Sequence, residues 1–139
     1  MADASIQFGL NHMVGPGLSL DALFAMAKAL GAAGVEIRND IDGKPILDGT
    51  KPAAVRALAD AHGVSIISIN ALQRFNEWND GRAKEAGELV DYAAACGAKA
   101  LVLVPTNDGT GCGDGERQAN LRTALKQLQP MLKKAGITG

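Results

Sequence analysis

The sequence predicts an α/β fold in one domain, built from βα units whose strands lie parallel. Three observations carry that prediction. A joint made of helix end, Gly stop and apolar strand recurs as GAAGVEIR, AHGVSIISIN, ACGAKALVLVP and KAGITG, at a period of roughly thirty residues, the size of a βα unit. The runs after the glycines are rich in Val, Ile and Leu, as in strands buried on both faces. The segments between them carry apolar residues at helical spacing, so each crossover is helical and neighbouring strands point the same way.

The elements follow in order. Strands are expected near residues 5–11, 34–38, 64–70 and 99–104, and helices near 19–31, 51–62, 80–96 and 115–135. The first strand runs into Asn11 and His12, which places His12 just past its end. Ser19 suits the N-cap of the first helix, because its hydroxyl can accept from an orphan backbone N–H. Leu20, Leu23, Phe24, Ala27 and Leu30 share the inward face, and Gly31 stops the helix. In the second strand, GVEIR, the charged Glu36 and Arg38 alternate with Val35 and Ile37 and so share one side. In a parallel sheet both faces are covered, so that side points into a functional cavity or a barrel interior.

Pro52 fits the first turn of the second helix, where its missing N–H does no harm, and Gly63 ends it. His62 sits where a helix C-terminus favours a cation and is read as structural. The third strand turns polar at Asn70, and Gln73, Arg74, Phe75, Asn76, Glu77 and Trp78 crowd behind it. Such a cluster at the end of a buried strand reads as a site, or as a loop whose aromatics cap the sheet. Asp80 is expected to cap the third helix, with Cys96 as a small buried hydrophobe near its end. The fourth strand, ALVLV, stops at Pro105, Thr106, Asn107 and Asp108. The glycine-rich loop 109–115 misses both the dinucleotide and the P-loop spacing, and Cys112 within it has no neighbour that argues for a reactive thiolate. Leu121, Leu125, Leu128 and Leu132 form the inward face of the fourth helix, which Pro130 should kink or divide.

The totals exclude several classes. A formal net charge of −1 gives no basic footprint for nucleic acid. No apolar run is long enough to span a bilayer. Two cysteines far apart, in no metal-ligand pattern, fit a reduced, cytoplasmic compartment. The chain, 139 residues long, is about half of a (β/α)₈ barrel, which needs roughly 250. It ends where a fifth strand is expected to start, at residues 135–139. A flavodoxin-like open sheet also fits the length, but it leaves Glu36 and Arg38 hard to place.

The order of strand ends, Asn11-His12, then GVEIRND, SINALQRFNEW and LVLVPTND, resembles the N-terminal half of the sugar phosphate isomerase/epimerase superfamily, the xylose isomerase-like TIM barrels. The resemblance implies a parallel (β/α)₄ half of a TIM barrel. It also implies proton transfer on a small-molecule sugar or polyol by an isomerase, epimerase or dehydratase. It implies a divalent metal (Mn, Mg, Co or Zn) held by later strands, so no metal ligand is assigned here and no tight binding by this chain alone is expected. By position it makes His12 and Glu36 the candidate catalytic residues, and Arg38, Asn70, Gln73, Arg74, Thr106 and Asn107 the candidate substrate contacts. His12 is equally readable as a strand-end histidine bonded to backbone, and Glu36 with Arg38 as an ion pair filling the barrel floor. The expected partner is the missing C-terminal half or a second copy, which makes a homo-oligomer.

Overall fold

The structure, a computed structural model, describes residues 6–107 and 113–139. Cys112, Asp108 and most of the glycine-rich loop lie outside the described residues. Strands β1 (Gly9–Asn11), β2 (Gly34–Arg38), β3 (Ser65–Gln73) and β4 (Ala100–Val104) form one parallel sheet in the order β1-β2-β3-β4. Helices α1 (Leu20–Leu30), α2 (Pro52–His62), α3 (Asp80–Cys96) and α4 (Asp114–Ala135) connect and follow them, and a 3₁₀ turn, His12–Val14, follows β1. Each strand pairs with its neighbour in the chain, which removes the flavodoxin-like alternative, whose strand order is 2-1-3-4-5. At the far edge, Thr138 bridges parallel to Ala100, so a fifth parallel partner begins beside β4.

One face of the sheet packs on the helices. Val35, Ile37, Ile66, Ile69, Leu72 and Leu101 meet Leu23, Phe24, Val55, Ala86, Val90 and Leu128 in an aliphatic core. The other face carries Asn11, Glu36, Arg38 and Asn70, and no helix among the described residues covers it. Every helix ends on a left-handed glycine, Gly31, Gly63, Gly97 or Gly136, whose N–H caps the last carbonyls and turns the chain into the next strand.

Several expectations are corrected. β3 does not stop at Asn70 but continues to Gln73, because Leu72 and Gln73 still pair with Leu103 and Val104. Of the strand expected over 5–11, the described residues show ladder pairing over Gly9–Asn11 and none over 6–8, and Ser5 lies outside the described residues. The N-cap of α3 is Asn79, which accepts from the Arg82 N–H at 2.9 Å; Asp80 is the first helical residue. Leu30 and Leu125 are exposed, since each sits on the flank of its helix where no further element packs. Pro130 does not divide α4, which runs unbroken from 114 to 135. Phe75 joins the core at 4% exposure and Trp78 packs against it, so the aromatics behind β3 seal the sheet end.

Candidate functional site

The uncovered face of the sheet is built in rows across the strands. Register pairs Gly9 with Gly34, Asn11 with Glu36, Glu36 with Ser68, and Arg38 with Asn70. The lowest row is a floor: Ile67 lies over Gly9 and Gly34. A Cβ at Gly34 would come within 2.6 Å of the Ser65 carbonyl oxygen and 2.7 Å of Ile67 Cγ1. The close strand approach therefore needs glycine there. Ile67 can lie across both positions because it is the extra residue of a bulge between the Val35 and Glu36 pairs.

The next row holds a carboxylate. Glu36 accepts from Asn11 Nδ2, from Ser68 Oγ at 2.5 Å and from Asn70 Nδ2 at 3.2 Å. Three donors from the two flanking strands, one on β1 and two on β3, fix both of its oxygens. Asn11 is fixed in turn, because its Oδ1 accepts from the Met13 N–H and caps the 3₁₀ turn.

The rim, at the C-terminal ends of the strands, holds two guanidinium–carboxylate forks. Arg38 Nε and Nη2 donate to Asp40 at 2.7 and 2.6 Å, and Gln73 Nε2 reaches the same carboxylate at 3.4 Å. Arg74 donates twice to Glu77, at 3.0 and 2.6 Å, and Thr106 Oγ1 adds a third bond at 2.7 Å. Arg38 holds the Asp40 carboxyl below the usual range, and Asp40 in turn raises Arg38, with a smaller push from Glu36. Arg74, then Thr106, lowers Glu77.

A second bulge aims the rim. Asn70 and Leu72 pair with successive residues of β4, so Ala71 is left out of the ladder. Its backbone groups bond the Asn39 side chain instead: Ala71 N–H donates to Oδ1 at 2.8 Å and Asn39 Nδ2 donates to the Ala71 carbonyl at 3.1 Å. Asn39 is 6% exposed and supplies what the missing ladder pair would have supplied. Likewise the buried Asn76 accepts from the Thr106 N–H at 2.7 Å and ties the end of β4 to the loop after β3.

The structure thus brings Glu36, Arg38 and Asn70 together on the open face, with Gln73 at Asp40 and Arg74 and Thr106 both on Glu77 along the rim of this arc. Asn107 is exposed at its margin. His12 is buried next to Asn11: its ring is 0% exposed and its Nε2 lies 3.0 Å from the Leu18 carbonyl. That carbonyl can only accept, so Nε2 carries the proton, and among the described residues the buried Nδ1 meets no partner. Sequence reasoning assigned no role to Asn11, Ser68, Asn39 or Asp40, and it placed Glu77 in the cluster behind β3 without identifying its partners. Ser68 had a signal, as a hydroxyl set between Ile67 and Ile69 in an apolar strand; Asn39 had none. Among the described residues, no three His, Cys, Asp or Glu side chains converge as a metal site. The three carboxylates of the arc already face donors, so the residues present do not fit a metal centre by themselves.

The family model described as xylose isomerase-like TIM barrel matches residues 24–139. A xylose isomerase domain containing protein from Salmonella typhimurium LT2 superposes with a TM-score of 0.83 at 34% identity, over 94% of this chain and 47% of that one. The IOLI protein, solved with a bound zinc atom, gives 0.79 at 18% identity over 95% and 49%. D-allulose 3-epimerase from Methylomonas sp., in complex with D-allulose, gives 0.67 at 19% over 95% and 49%. The last two share the fold. The chain spans about half the length of each of these proteins. No curated protein sequence is significantly similar to it.

Proposed function

Because the chain belongs to the xylose isomerase-like TIM barrel family, we propose that it supplies the substrate-contacting arc of a cytoplasmic sugar or polyol isomerase, epimerase or dehydratase. The observation that carries this reading is the Glu36 row, a carboxylate fixed by Asn11, Ser68 and Asn70 on the open face of the sheet. Beside it, Asn70, Gln73 and Thr106 offer amide and hydroxyl groups in fixed directions, which suits recognition of a chain of hydroxyls. In this reading Glu36 faces the reacting carbons as acceptor for a hydroxyl proton. Arg38, Arg74 and Asn107 contact the ligand at the rim. His12, which follows Asn11 at the end of β1 and is held by the Leu18 carbonyl, is the second proposed catalytic residue.

A divalent cation supplies Lewis-acid polarisation of a carbonyl in this reading, and it is bound by strands other than these. Titration of the isolated chain with a neutral ketohexose, followed by side-chain amide resonances, is expected to move Asn70 and Gln73. Added Mn²⁺, Mg²⁺, Co²⁺ or Zn²⁺ is expected to give neither turnover nor tight binding. Unmoved rim amides would remove the reading, and a tight stoichiometric metal site would remove its second half.

A second reading rests on the edges. Among the described residues β1 pairs with β2 alone, and beyond β4 lies the Thr138 bridge. Ile67 on the inner face is 39% exposed, and a groove of about 560 Å³ lined by Leu103, Leu125, Leu128, Leu132 and Ile137 opens beside that bridge. Open parallel edges and uncovered apolar surface favour association. The arc therefore closes on a complementary arc: the C-terminal half of a barrel, or a second copy when this chain is alone. Sedimentation of the isolated chain should give a dimer; a monomer at high concentration refutes pairing with a second copy.

A further inference from the structure

We infer that this arc takes the uncharged, hydroxylated part of its ligand and discriminates against a phosphate ester in the same position. The inference rests on the reading of the rim as a sugar or polyol site. Its basis is the charge pattern. A phosphate needs guanidinium or ammonium donors that are not already spent. Here Arg38 is forked onto Asp40 at 2.7 and 2.6 Å, and Arg74 onto Glu77 at 3.0 and 2.6 Å. Arg82, at the start of α3 beside Glu77, is paired with Glu85. Glu36 has only neutral donors, from Asn11, Ser68 and Asn70. Three carboxylates against two guanidiniums, Arg38 and Arg74, leave the arc one negative charge. The loop after β2 adds Asp42 and Asp48 against Lys44 and Lys51 and so does not offset that charge.

The groups that remain to receive a ligand are amides and hydroxyls. Gln73 reaches Asp40 only at 3.4 Å, so its amide can exchange that long contact for a ligand hydroxyl. A unit negative charge held about 7 Å from Glu36, at an effective dielectric of about 40, loses about tenfold in affinity, and a phosphate near neutral pH carries more than one. A neutral polyol meets no such penalty.

The test is a side-by-side titration of the intact chain with a neutral ketohexose and its 6-phosphate ester, followed by amide resonances at low and moderate ionic strength. The expected result is saturable binding of the free sugar and at least about tenfold weaker binding of the ester at low salt. The ratio should narrow as salt screens the repulsion. Glu36→Gln should narrow it as well. The salt series on the unmodified chain decides the matter if that variant fails to fold. An ester that binds as well as or better than the sugar overturns the inference and leaves the rim a sugar site. Binding of neither ligand overturns both the inference and the reading beneath it.

Discussion

Replacing Asn39 tests whether a single side chain holds the rim in place. In Asn39→Ala the two bonds to the bulged Ala71, at 2.8 and 3.1 Å, disappear. Ala71 is 2% exposed, so its N–H and C=O are left facing protein. Each buried backbone group left unpaired costs about 1–3 kcal/mol. Water entering the vacated space recovers part of that, so the expected loss is about 3 kcal/mol. For a domain of this size it lowers the melting temperature by about 10 °C and the urea midpoint by about 1.5 M at an m-value of about 2 kcal/mol/M.

Asn39→Asp sharpens the test. At neutral pH its carboxylate can still accept from the Ala71 N–H but faces the Ala71 carbonyl oxygen without a proton to donate. When protonated, it again offers one donor and one acceptor. Burial and the carbonyl favour the protonated form in the folded state, so its folded pKa is raised and its stability deficit shrinks as pH falls from 7 towards 5. Urea melts of the three proteins at pH 7 and pH 5 read both effects. A cost below about 0.5 kcal/mol for Asn39→Ala, within the range of ordinary surface changes, refutes the reasoning. So does a deficit of Asn39→Asp that ignores pH.

Gly34→Ala should cost about 1–3 kcal/mol in a thermal melt, the usual range for overpacking, because the added methyl meets the Ser65 carbonyl oxygen as well as Ile67. Trimming Ile67 to Val should restore little of it, and Gly17→Ala, with open space around it, should be near neutral. The Tyr92 phenol, bonded to the Thr50 carbonyl at 2.7 Å, is pushed up to about 12 by burial. Its folded pKa lies above the ordinary 10, so its contribution is whole below pH 10 and is lost as pH rises towards 12. An ultraviolet phenolate titration showing ionisation near 10 in the folded chain would contradict that environment. Asp40 behaves in the opposite sense. Arg38 depresses its folded pKa, so the stabilisation is present above the ordinary value of 3.8 and is lost as pH falls below it. Asp40→Asn should flatten that part of an acid denaturation curve, and an unchanged curve counts against the coupling.

Much of the frame was legible because a parallel sheet writes itself twice, in apolar runs and in the glycines before them. Gly34, Gly63 and Gly97 mark the start of strands as plainly as the Val and Ile that follow. Glu36 and Arg38 stood out because a charge inside such a run has few places to go. The end of β3 was misread because Asn70 looks like a loop residue, whereas the strand continues by bulging at Ala71 and borrowing the side chain of Asn39, 32 positions away. No local pattern encodes that exchange. Leu30 and Leu125 obey helical spacing yet are exposed, since periodicity gives the face of a helix and not what covers it. Asp80 and Asn79 are both good caps, and only the backbone geometry chooses between them.

The sequential order of the strands bears on how the chain acquires its shape. No strand waits for a distant partner: β1 meets β2, β2 meets β3, and β3 meets β4, each across one intervening helix. The entropy of bringing partners together is therefore incurred in similar small steps, and it rises only slowly with loop length. Such a chain grows by accretion, each newly formed segment laying its strand along an edge already in place. Each step still spans a whole βα unit, which sets this chain with the slower parallel topologies rather than with locally paired helical ones.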